Sequence, residues 1–232
     1  MVSMNRFQEI ACFLLCITIA VLLCSNTAYA ATNVIVIDPA HGGEDKGVIL
    51  TNKVSEKDIT LKIARFVKEE MDKDGLIKVK LTRLDDRNIS TKERHDFVAT
   101  VNPSAFVSIH LNAGFDKKTT GFEIFFVGSI AKLNGQSEES EAILKDMQQN
   151  RYINEGIKIA SAIEKTLSES FPKRSRGIQQ ITSPTLEGIK IPTVIVEVGF
   201  ASNVDEANKL QKESEQRKIA KAISSGLRKA LK

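Results

Sequence analysis

Short runs of β-branched apolar residues alternate with helical repeats along this chain, and that alternation restricts the fold more than any other feature. Val34-Ile35-Val36-Ile37 has no polar side, so it reads as a strand covered on both faces. Asp38-Pro39 ends it, because proline cannot donate to a ladder. Similar runs recur from Ala105 to Ala113, from Gly121 to Val127 and from Thr193 to Phe200, while Val79 and Leu81 alternate with lysines into Thr82-Arg83. Helical patterns lie between them. Ser55 caps the first, with Asp58 at capping-box spacing, and Ile59, Ile63, Phe66, Val67 and Met71 form its inner face. Ser90-Thr91-Lys92-Glu93 opens a second helix that closes near Asn102-Pro103. A long helix from about Arg151 to Ser170 presents Ile153, Ile157, Ala160, Ile163 and Leu167 inward, and a terminal pair starts at Asp205 and Glu215. Strand and helix in turn predict an α/β single domain with a mainly parallel sheet and helices on both faces. Two stretches read as loops. Gly135 to Gln149 is a solvated insertion, and Lys173-Arg174-Ser175-Arg176-Gly177 is a solvated basic turn or a place where an anionic substrate docks.

Residues 1–30 stand apart from that domain, which spans residues 31–232. Arg6 precedes an apolar run from Ala11 to Leu23, and Ala28-Tyr29-Ala30 forms a small-x-small cleavage site. This is the layout of a secretory signal peptide, with a core short for a membrane span; a retained signal anchor is the alternative. The expected location is therefore outside the cytoplasm, periplasmic or extracellular. Cys12, Cys16 and Cys24, the three cysteines, all fall inside the signal. The mature chain then has no thiol, which excludes disulfides, cysteine nucleophiles and thiolate metal sites. A net charge of +4 suits an anionic polymer as substrate, but no basic stripe with interleaved aromatics points to nucleic acid.

Four polar residues stand out at strand ends or on the loop or first helical turn that follows one. His41 follows the first buried strand, in a loop with Gly42 and Gly43, and His110 lies near the end of another. Such strand ends are where open α/β sheets carry their chemistry. Glu56 opens the first helix, where the helix dipole alone would favour a carboxylate. Glu197 interrupts a run that should be buried, and an unpartnered carboxylate there costs several kcal/mol or sits protonated. Two imidazoles and a carboxylate are a common three-ligand zinc set, and a second carboxylate suits a general base. No compact H-E-x-x-H pattern is present, so spacing alone does not decide between a zinc site and separately explained residues. His95, among Arg94 and Asp96, reads as an exposed helix residue.

These stretches resemble the zinc-dependent type 3 N-acetylmuramoyl-L-alanine amidases, which release stem peptides from peptidoglycan. Asp38-Pro39-Ala40-His41-Gly42-Gly43 resembles the family's opening motif and places its first histidine ligand on His41. Glu56-Lys57-Asp58 resembles the motif of the glutamate ligand, and Ser108-Ile109-His110-Leu111-Asn112 that of the second histidine, His110. Val196 to Asn203 resembles the stretch that carries the catalytic glutamate, here Glu197. The resemblance implies a twisted sheet of about six strands, a zinc cofactor and peptidoglycan as substrate; separately, the chain is expected to be a monomer. It further implies that an alanine at position 40, where the family has glycine, strains the ligand loop if that position needs positive φ. Regulated members carry an inserted helix that blocks the metal until an activator protein binds. The 135–150 segment occupies the corresponding place, although it is short and its plainer reading is a solvated loop. A different zinc peptidase or amidohydrolase, and a non-catalytic wall-binding module, are the alternatives.

Overall fold

The computed structural model describes residues 33–51, 54–128 and 139–231, so the signal-peptide reading of residues 1–30 lies outside the described residues. Eight strands are described: β1 Asn33–Pro39, β2 Ile49–Thr51, β3 Val54–Ser55, β4 Ile77–Leu81, β5 Ala105–Asn112, β6 Phe122–Val127, β7 Ser175–Ile181 and β8 Thr193–Phe200. The helices are α1 Glu56–Asp72, α2 Thr91–Val101, α3 Glu139–Ser170, α4 Val204–Leu210 and α5 Glu213–Ala230. Six strands form one sheet in the order β4-β1-β5-β8-β6-β7, and β2 pairs with β3 in a small ribbon. Neighbours run parallel except β6, which is antiparallel to β8.

Both faces are covered, as the uninterrupted apolar runs require. Ile35, Ile37, Val107, Ile109, Ile124 and Val196 face one core with Ile63 and Val67 of α1, Ile163 of α3 and Leu227 of α5. The intervening residues Val36, Phe106 and Ile195 face a smaller core with Val98 of α2 and Leu186. Both predicted capping boxes form. Ser55 donates its backbone N–H to Asp58 at 2.9 Å, and the Ser90 amide reaches Glu93 at 2.8 Å.

Four details depart from the sequence reading. The basic run is not a loop, because β7 begins at Ser175 and forms the sixth strand, pairing with β6 alone at the sheet edge. Its sequence, SRGIQQI, lacks a clean alternation because one side of that edge is solvated. The segment read as a solvated insertion is helical from Glu139, where α3 starts. A Cβ on Gly156 would lie 3.6 Å from the Thr193 carbonyl at the start of β8, and none of residues 143–155 before it is buried. The helical phase also differs. Ile159 is buried and Ile157 is 37% exposed. Finally, His95 is half-buried rather than exposed, its Nε2 lying 3.1 Å from the Thr185 carbonyl.

Candidate active site

The C-terminal ends of β1, β5 and β8 are adjacent, and the four singled-out residues meet there. His41 leaves β1 on a loop held by a buried guanidinium. Arg83, 1% exposed, donates to the carbonyls of Pro39 (3.0 Å), Ala40 (3.1 Å) and Lys57 (2.9 Å). Thr60 adds a second bond to the Ala40 carbonyl, at 2.9 Å. Below it, Asp38 accepts from Thr82 at 2.6 Å, Ser108 at 2.8 Å and Arg94 at 2.9 Å, which ties β1 to its neighbours and to α2. The loop needs left-handed backbone, but not at position 40. Ala40 keeps an ordinary φ and is buried, while His41 itself takes φ 62°, followed by Gly42 and Gly43 at 142° and 60°. The strain expected of alanine therefore falls on the histidine.

Three donor atoms converge. His41 Nε2 lies 3.1 Å and His110 Nδ1 3.2 Å from Glu56 Oε1, and all three donor atoms are within 4.8 Å of one another. Glu56 is the first residue of α1 and is buried. The Leu111 amide holds its Oε1 at 2.9 Å and the Val48 amide its Oε2 at 3.0 Å, so the carboxylate cannot rotate freely. His41 Nδ1 sits 2.8 Å from Asp45, which fixes the ring with Nε2 turned toward the cluster. Sequence reasoning missed Asp45; its four-residue distance from His41 is the only signal for it. It missed Gly47 as well, where a Cβ would stand 2.5 Å from Glu56 Oε2 and 2.6 Å from His41 Cδ2.

The electrostatics are those of a cation site holding protons. Hydrogen bonding to Glu56 raises His41 to about 9, against a smaller opposing effect of burial. Burial pushes Glu56 up, but hydrogen bonds from His110, His41 and the Val48 and Leu111 amides together hold it at about 2. A buried carboxylate flanked by two imidazoles fits a divalent ion of the borderline-soft type, for which N and O donors at one open site are the usual set.

Glu197 faces the same point from β8. It pairs in register with His110 of β5 and with Glu123 of β6. Its Oε2 is buried without a hydrogen-bond partner. Burial raises its pKa to about 7; His110 opposes this, while Glu56 and Glu123 reinforce it. Glu123 is held by Gln179 at 2.6 Å and Asn112 at 3.4 Å. A carboxyl group half-ionised near neutrality, with one oxygen unoccupied, can take up and release a proton.

The fold and site together define an open α/β domain with a candidate divalent-metal site and a neighbouring proton carrier at its strand ends. Residues 35–229 match the Amidase_3 family, described as N-acetylmuramoyl-L-alanine amidase, and the chain belongs to that family. It is 29% identical to the N-acetylmuramoyl-L-alanine amidase AmiC of Escherichia coli O6:H1 over 84% of this chain, but it spans only 52% of that relative's length. Among solved structures, the amidase AmiC2 of Nostoc punctiforme superposes with a TM-score of 0.71 at 25% identity, covering 87% of this chain and 98% of that one. The CwlD amidase of Clostridioides difficile, solved in complex with the GerS lipoprotein, gives 0.70 at 28% identity, covering 86% and 98%.

Proposed function

We propose that this chain is an exported hydrolase that cleaves the amide between N-acetylmuramic acid and the first L-alanine of the stem peptide. In this reading His41, Glu56 and His110 hold a zinc ion, and Glu197 moves the proton. The observation that carries it is the convergence of the three donors beside the orphaned Glu197 oxygen, within a chain of the amidase family. Zinc bound there supplies Lewis-acid polarisation of the scissile carbonyl and makes water acidic enough to attack near neutral pH.

The remaining steps belong to the protein's own residues. Asp45 sets the His41 tautomer, and the Leu111 and Val48 amides orient Glu56. Glu197 accepts the proton from attacking water and passes it to the departing amide nitrogen, for which its position opposite His110 and its raised pKa suit it. The signal-like N-terminal segment supports export, and among the described residues no helix is long and apolar enough to cross a membrane.

A partner protein is part of the same proposal. Ile143, Leu144 and Met147, early in α3, are 55%, 67% and 64% exposed and offer an apolar face. Neighbouring Lys145 and Gln148 line a cleft of about 470 Å³ with Val127 and Thr193, at the opposite end of β8 from Glu197. A partner at this described part of the segment would therefore act at a distance instead of uncovering the triad.

The test is release of stem peptides from purified sacculi, identified by mass spectrometry. Glu197→Ala should lose about 10²- to 10⁴-fold in rate with metal content unchanged. Normal release by that variant would defeat the assignment, and undiminished release in strong chelator would defeat the zinc role.

A further inference from the structure

The basic run from Lys173 to Arg176 divides into two kinds of cation. Arg174 is spent on the scaffold: it ion-pairs with Glu206, a buried carboxylate that also accepts from the Gly121 and Phe200 amides at 3.1 and 3.0 Å. Arg176 is exposed, and its guanidinium has no ion pair or hydrogen bond with any described residue. Its guanidinium instead lies 5.2 Å from the centroid of the Phe200 ring.

That contact brings a cation from the sheet edge toward the catalytic strand. The step from His110 to Asn112 on β5 is two positions while the paired step from Glu197 to Phe200 on β8 is three, so β8 carries one extra residue there. Directly paired residues share a face, and His110 and Asn112 lie on one side of β5. The bulge thus turns Phe200 to the same side as Glu197. Phe200 is nearly buried yet belongs to neither apolar core. To reach it, Arg176 crosses the start of β6 over Gly121, where a Cβ would stand 3.5 Å from Arg176 Cγ. A guanidinium stacked on a ring with its donors unused is preorganised for a carboxylate.

Strand order sets the direction. The three metal-site donors lie at β1, α1 and β5, Glu197 follows on β8, and Arg176 is two strands further out on β7. Since Glu197 delivers the proton to the leaving nitrogen, the departing peptide lies on the Arg176 side. Glu197 and Phe200 are at most about 10 Å apart along the strand at 3.3 Å per residue. A carboxylate on the second stem residue falls about 7 Å from the scissile amide at about 3.5 Å per residue.

We propose that Arg176 is a specificity-determining residue that binds a free α-carboxylate on the second residue of the stem peptide. This rests on the amidase reading above. The test uses solubilised glycan–peptide fragments in two forms, one with that carboxylate free and one with it amidated. Arg176→Gln should lower kcat/KM on the free acid about 10- to 100-fold, mainly through KM, and change the amide form less than about twofold. Arg176→Lys should recover part of the loss, and its melting curve with that of Arg176→Gln checks the fold. Lys173→Gln removes one charge from the same run and should leave both substrates within about twofold. An equal fall on both substrates, no fall on either, or a matching fall in Lys173→Gln would overturn the role of Arg176 while leaving the amidase reading intact. Failure of the unaltered protein on both substrates would remove the amidase reading itself, and this proposal with it.

Discussion

Replacing Gly47 by alanine should damage metal binding while leaving the fold in place. Gly47 has φ +60°, and the added Cβ would meet Glu56 Oε2 at 2.5 Å, His41 Cδ2 at 2.6 Å and Glu56 Cβ at 2.9 Å. A left-handed alanine costs about 1–2 kcal/mol. Overpacking costs about 1–3 kcal/mol more, since Glu56 Oε2 is held by the Val48 amide and the His41 ring by Asp45. The left-handed cost stays in the fold, as at Gly75, but the overpacking part, about 1–3 kcal/mol, can be relieved in the metal-free protein by turning His41 or shifting Glu56, and not once both are committed to an ion. Most of that part should then appear as weaker binding, a loss of about tenfold in zinc affinity. Gly75 supplies the control, with φ +65° and nothing within 4 Å of its absent Cβ. Gly75→Ala should lose about 1–2 kcal/mol of stability with unchanged metal binding. Competition with a chromophoric chelator, alongside thermal melts, measures both quantities. Zinc affinity in Gly47→Ala within twofold of the unaltered protein would refute the placement of the three ligands around that glycine.

Two further outcomes follow from the same cluster. Asp45→Asn should weaken zinc binding by about 10- to 100-fold, because it removes the carboxylate that fixes the His41 ring; equal affinity by the same competition assay would sink that role. In chelator, the stability that His41 gains from its pKa of about 9 is fully present below about 6.5 and lost as pH rises through 9. The part due to Glu56, held at about 2, is present above its ordinary value of 4.5 and lost as pH falls through 2. The metal-free protein should therefore melt highest between these limits, and zinc affinity should rise with pH as the His41 proton is displaced. A metal-free melting temperature in Glu56→Gln with the same pH dependence as the unaltered protein would contradict this.

The sequence was most legible where one physical demand acts alone. Ile59, Ile63, Val67 and Met71 repeat at helical spacing because one side of α1 is buried, and all four are buried in the structure. Glu197 was conspicuous because a carboxylate does not belong in a buried strand, and its orphaned oxygen shows the same tension in space. Legibility failed where demands are mixed. β7 pairs on one side only, so its residues need not alternate, and its arginines masked it as a loop. The first described turns of α3 bury no side chain, so their apolar residues Ile143, Leu144 and Met147 stand exposed and do not mark a core-facing side. Within α3, Ile157 and Ile159 fit a helical pattern about equally well, and only packing into the main core selects Ile159. Backbone strain was harder still. Nothing in Ala40-His41 says which residue turns left-handed, because Arg83 and Thr60, which pin the Ala40 carbonyl, arrive from other elements.

The strand order has a consequence for when this molecule becomes competent. β8 is the last strand in the chain, yet it sits between β5 and β6 near the middle of the sheet and brings Glu197 with it. A chain ending before Thr193 carries His41, Glu56 and His110 but lacks Glu197, and β5 and β6 lose the strand that joins them. Under the proposed function, hydrolysis therefore waits on the last strand, and a fragment ending before Thr193 should release no stem peptide from sacculi.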